Sequence, residues 1–103
     1  MTYLTRQKLD ADTLIISDEL GFEPETVELL LKAKIRTIGE LLDLEEYAVC
    51  AMLVEDDLGF GMSNELAVRA HERFMRLRHR LDVLGHGFAG PRHDPAILWA
   101  FAL

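Results

Sequence analysis

Ala33-Lys34-Ile35-Arg36-Thr37-Ile38-Gly39-Glu40-Leu41-Leu42 decides the fold of this chain. It reads as one helix ending and the next beginning, the joint of a compact helix-hairpin-helix unit. Thr37 is a plausible N-cap, and Glu40 completes the capping-box pattern Thr-x-x-Glu. In that pattern the hydroxyl and the carboxylate each satisfy a backbone N–H left open at the helix start. Leu41, Leu42 and Leu44 supply the apolar side of the new helix.

The organisation spreads outward from this joint. Upstream, Glu23-Pro24-Glu25 opens a helix, because proline suits the first helical position and acids suit the N-terminus. The spacing predicts this helix over 24–33, with Val27, Leu30 and Leu31 as its apolar face. Leu14-Ile15-Ile16 reads as an apolar anchor, and residues 1–12 as a polar arm. Downstream, a helix is expected over 44–54, with Tyr47, Val49, Cys50 and Leu53 available to the core. Asp57-Leu58-Gly59-Phe60-Gly61 breaks it and gives a second hairpin signal.

Ser63 then caps the longest helix, expected over 64–84. Leu66, Ala70, Phe74, Leu77 and Leu81 recur at helical spacing and form one stripe. Arg69, Arg73, Arg76 and Arg80 step the same way on an adjacent face. Gly85-His86-Gly87 ends the helix. The chain divides into an arm (1–12), a helical domain (13–84) and a linker with an apolar tail (85–103).

Composition bounds the class. The 103 residues make one domain, and 50% hydrophobic residues suffice for a real core. No apolar run is long enough to cross a bilayer. Met1-Thr2-Tyr3-Leu4-Thr5-Arg6 lacks the apolar region of a signal peptide. The single cysteine, Cys50, cannot form an internal disulfide, which fits a reducing compartment and a cytoplasmic location. The net charge is −7 and uneven: residues 1–61 carry fourteen acids and five bases, residues 62–103 four acids and six bases. Phosphate contacts need surplus Lys and Arg, so this balance argues against generic duplex DNA binding.

Ile35-Arg36-Thr37-Ile38-Gly39-Glu40-Leu41-Leu42 resembles the hairpin of the C-terminal domain of the bacterial RNA polymerase alpha subunit. Asp57-Leu58-Gly59-Phe60-Gly61-Met62-Ser63 is similar to that family's second hairpin, with one inserted residue. The resemblance covers roughly residues 14–84. It implies a stand-alone, divergent member of a DNA-binding family. Carried across position by position, however, the family's contacts do not match. The Arg that enters the minor groove falls on Glu25, an Asn one turn on falls on Glu28, and the Lys pair falls on Phe60 and Gly61. An acid in place of a base repels phosphate. Either this surface faces a protein partner through Glu25, Glu28 and Phe60, or the two acids are a solvated helix face.

Other features have paired readings too. Backbone amides at Gly59 and Gly61 suggest a phosphate cradle, which Glu55, Asp56 and Asp57 oppose; otherwise the glycines serve the turn. Arg69, Arg73, Arg76 and Arg80 either contact nucleic acid or an acidic protein groove, or pair with Glu65, Glu72 and the acidic first half, within one chain or between two. Trp99 and Phe101 anchor an apolar tail that folds back, closes a homodimer or docks on a partner. The four histidines show no metal spacing, and no catalytic or cofactor-binding pattern is present. The expectation is therefore an all-α, compact four- to five-helix bundle with two helix-hairpin-helix-like units and a long C-terminal helix. Its expected role is non-enzymatic, without cofactor or metal: a protein-binding module in transcription, contacting RNA polymerase or a regulator. A nucleic-acid-binding protein and a structural homodimer are the alternatives.

Overall fold

A computed structural model of the chain describes residues 10–55 and 64–94. Among these residues it is an all-α bundle of four helices without a strand. They are α1 (Pro24–Lys32), α2 (Ile38–Leu42), α3 (Glu46–Met52) and α4 (Asn64–Leu84). The second hairpin signal, with Gly59, Phe60, Gly61 and Ser63, lies outside the described residues, as does the tail with Trp99 and Phe101.

α1 begins with Pro24 in its first turn, as proline's fixed φ favours. Its core face is Thr26, Leu29 and Leu30 rather than Val27, Leu30 and Leu31. Leu31 is 42% exposed and Val27 only partly buried. The two faces have the same spacing and differ by one residue of phase, which three consecutive leucines do not fix. At the end of α1 the Lys34 N–H donates to the Leu31 carbonyl and the Ile35 N–H to the Leu30 carbonyl. This is a Schellman turn, and it places Lys34 at φ 68°, where glycine is usual.

α2 starts with the complete capping box. The Glu40 N–H donates to Thr37 Oγ1 at 3.2 Å, and the Thr37 N–H to Glu40 Oε1 at 3.1 Å. A strap from the N-terminal side closes the remaining donors. The Ile38 N–H donates to the Thr13 carbonyl at 2.8 Å and the Gly39 N–H to the Ala11 carbonyl at 2.9 Å. The strap fits because Gly39 has no side chain: a Cβ there would lie 2.9 Å from the Ala11 oxygen. Of Leu14-Ile15-Ile16 only Ile15 is buried, while Leu14 and Ile16 point outward.

α3 is shorter than the expected 44–54 span, but Leu44, Tyr47, Val49, Cys50 and Leu53 all contribute to the core. α4 spans the predicted range, with Ala70, Phe74, Leu77 and Leu81 buried. Leu66, at the start of that stripe, is half-buried, and Ala67 is the buried residue beside it. Gly85, at φ 83°, ends α4 in a second Schellman turn. The chain then returns across the bundle. Phe88 stacks on Phe74 with centroids 5.6 Å apart, and the Ala89 N–H donates to the Leu42 and Leu44 carbonyls. Segments assigned from the sequence to the arm and the linker thus contact the helices directly.

Candidate functional site

Each arginine of the α4 stripe meets an acceptor of the same chain, and Arg73 and Arg76 reach α1 and its N-cap. The Arg69 guanidinium pairs with Glu65 one turn earlier on α4, at 2.6 Å. Arg73 is buried; it donates to the Leu53 carbonyl at 3.1 Å and pairs with Glu25 and Glu55. Arg76 Nε donates to Glu23 at 2.8 Å, and Arg80 Nε to the Leu20 carbonyl at 2.6 Å. The pairing is therefore within the chain for all four residues. It ties the start of α1 and the end of α3 to α4.

Glu25, Glu55, Arg69, Glu72, Arg73 and Arg76 line a shallow, open concavity on this face. The Glu25 carboxyl lies below its ordinary range, through its hydrogen bond with the Glu55 carboxyl and then through Arg73. Hydrogen bonding to Glu23 raises Arg76. Glu28 is exposed on α1, and Glu25 is largely exposed despite its bond to Arg73. Of the other predicted contact residues, Phe60, Gly59, Gly61, Trp99 and Phe101 fall outside the described residues.

The amides that a helix-hairpin-helix unit would offer a phosphate at α2 are engaged. Ile38, Gly39 and Glu40 donate to Thr13, Ala11 and Thr37 respectively. An anion at this end would have to displace the strap.

Sequence reasoning missed a second polar centre. Arg78 Nη1 donates to Glu46 Oε2 at 3.1 Å and to the His93 carbonyl at 3.0 Å. Glu46 Oε1 accepts the His93 N–H at 2.5 Å, and the His93 ring stacks on Tyr47 at 4.2 Å. The Arg78 guanidinium also sits 5.4 Å from the Phe74 ring centroid, a cation–π contact. One signal for it was legible. Glu46 occupies the first place of the buried stripe Glu46, Val49, Cys50, Leu53, where an acid needs a partner.

Among the described residues no cluster of three or more His, Cys, Asp or Glu side chains is placed to hold a metal ion. Nor is any helix there long and apolar enough to cross a membrane. The Cys50 thiol is pushed up to about 12, first by burial and then by the Glu46 charge, which makes it a poor nucleophile. The chain matches no protein-family model, no curated protein and no solved structure.

Proposed function

We propose that this chain is a small cytoplasmic protein–protein interaction module. In this reading it resembles a stand-alone C-terminal domain of the bacterial RNA polymerase alpha subunit and acts in transcription, on the polymerase or on a regulator. The observation that carries the reading is that the α2 amides and the arginines of α4, the groups of this chain suited to phosphate, are bonded within the chain. The α2 amides bond to the strap, and Arg73 and Arg76 bond to acids of the same chain. Glu25 and Glu28 add negative charge to α1, where phosphate would have to approach. A protein partner tolerates such a surface, since charged rims steer association without phosphate contacts.

Two measurements on the full chain test this together. Fluorescence anisotropy with an A·T-rich duplex at physiological salt gives no saturable binding. Capture from the native host retains RNA polymerase subunits or a transcription regulator. Micromolar DNA affinity that falls steeply with salt overturns the reading in favour of nucleic-acid binding through Arg69, Arg73, Arg76 and Arg80. A concentration-dependent mass with no captured partner overturns it in favour of a homodimer.

A further inference from the structure

The segment that returns over α3 and α4 is held in two different ways. Ala89 is fastened through its backbone to the Leu42 and Leu44 carbonyls. Beyond it Gly90, Pro91, Arg92 and Asp94 are exposed and His93 is half-buried, so this end brings no buried apolar side chain to the core. Its main chain is gripped at residue 93: Glu46 accepts the His93 N–H and Arg78 donates to the His93 carbonyl. Two of its side chains are read separately. Arg92 makes a bidentate pair with Asp82 at 2.7 and 2.9 Å, and the His93 ring stacks on Tyr47. Main-chain bonds hold a segment whatever its sequence, and side-chain contacts such as these two select it, which is how a protein recognises a peptide.

The fit is loose. A recess stays open beneath the segment, lined by Glu46, Arg78, Leu81, Asp82, Pro91 and Arg92. Arg92 is 60% exposed, and an ion pair at the surface contributes little. Glu46 and Arg78 remain paired with each other when residue 93 lifts away, so opening strands no buried charge. Gly90, at φ 76°, is the pivot at which the end can lift while Ala89 stays fastened.

The open groove would be acidic. Asp82 and Glu46 face it, and the Glu45 side chain borders Gly90. Against these three stand Arg78 and, beside Asp82, His79; even a protonated His79 leaves the balance negative. The net charge of the whole chain, −7, has the same sign. A basic segment is therefore drawn to the groove, as Arg92 is within the chain.

We propose that the groove formed by Glu46, Tyr47, Arg78 and Asp82 docks a peptide segment of a protein partner, a basic residue followed by a planar one, and that residues 90–94 are its displaceable occupant within the chain. Glu46 and Arg78 take the main chain, Asp82 the basic side chain and Tyr47 the planar one. The proposal rests on the protein-binding reading for the source of the segment.

The test uses a fluorescein-labelled peptide of residues 86–94 as probe and the full chain as receptor. Gly90→Ala disfavours the seated segment, because its Cβ strains a positive φ and falls 3.2 Å from the Glu45 side chain, yet it leaves every groove residue in place. Apparent affinity scales with the fraction of chains whose groove is open. Fluorescence anisotropy should therefore show saturable binding, roughly tenfold tighter for Gly90→Ala than for the natural chain. Arg92→Ala in the peptide should weaken binding about fivefold, the worth of one surface ion pair. In the natural chain the His93 amide should be less protected from hydrogen exchange than the Ala89 amide, because the end lifts on its own. Equal affinities for the two chains, no saturable binding, or equal protection at the two amides overturn the proposal. A concentration-dependent mass of the Gly90→Ala chain gives the groove to a second copy and overturns the partner assignment. Capture of a host protein that saturating peptide does not compete away refutes the groove alone. Peptide binding without a captured transcription protein refutes the reading it rests on alone.

Discussion

Glu46 and Arg78 meet at 3.1 Å between α3 and α4, with side chains only 4% and 8% exposed. Removing one partner leaves a buried charge uncompensated, which is costlier than removing both. Arg78→Met is expected to lose about 3–5 kcal/mol by urea melting. Adding Glu46→Leu should restore part of that loss, and a double-mutant cycle reads the coupling directly. Additive losses would mean that the two groups act independently.

Gly39→Ala tests the strap. The new Cβ would sit 2.9 Å from the Ala11 oxygen and 3.0 Å from the Ala11 Cβ. Overpacking of this kind costs roughly 1–3 kcal/mol. Hydrogen exchange at the Ile38 and Gly39 amides should accelerate more than at Leu81, in the middle of the bundle. Uniform acceleration would show that the strap is not a separate closing step.

Lys34→Gly should stabilise the domain. Lys34 holds φ 68°, a conformation that costs an L-residue about 1–2 kcal/mol. Glycine adopts it freely but gains freedom in the unfolded chain, so the net gain is roughly 0.5–1 kcal/mol. A rise in the melting temperature checks this; a fall would mean that the Lys34 side chain makes a compensating contact.

Acid lowers stability through carboxyls whose folded values lie below their ordinary ones. The Arg36 and then the Thr37 N–H groups hold Glu40 down, and the Arg92 guanidinium holds Asp82 down. The folded state binds fewer protons at these groups than the unfolded state. Their contribution is therefore complete above the ordinary values of 4.5 and 3.8, and is lost as pH falls through the folded values. Urea midpoints should hold from neutrality to about pH 5 and then drop. Glu40→Gln should lower the midpoint at neutral pH, and its gap to the natural chain should narrow in acid. A gap independent of pH would remove Glu40 from this account.

Cys50 should resist thiol reagents in the native state, since the thiol is buried and raised to about 12. Its labelling rate should rise with urea in step with unfolding. Fast labelling in native buffer would show that α3 opens locally.

What the sequence made legible was local. Thr37 and Glu40 lie three residues apart, and their capping box forms as read. The limits of α4 were equally legible, because glycines and a long apolar period mark them. Arg73 with Glu25 and Arg78 with Glu46 lie 48 and 32 residues apart, distances at which no periodicity specifies a partner. The phase of α1 was lost for a different reason. Leu29-Leu30-Leu31 is hydrophobic on two adjacent faces, and only the packing of Thr26 against α4 chooses between them. The approach of Arg80 to Gly21 was invisible in turn, because the two lie far apart in sequence and meet only across the bundle.

α2 has five residues and is fastened at both ends by opposite extremes of the described chain. Residues 11 and 13 accept from its first amides, and the residue 89 amide donates to its last carbonyl. A single-turn helix has no independent stability in water. On a translating ribosome, α1 and the Thr37 cap can form early, yet the second fastening must wait until Ala89 has cleared the exit tunnel. The domain therefore completes its fold only once residue 89 is free to pair with α2. A chain ending at the end of α4 would contain the residues of all four helices but lack the closure that fixes the shortest one.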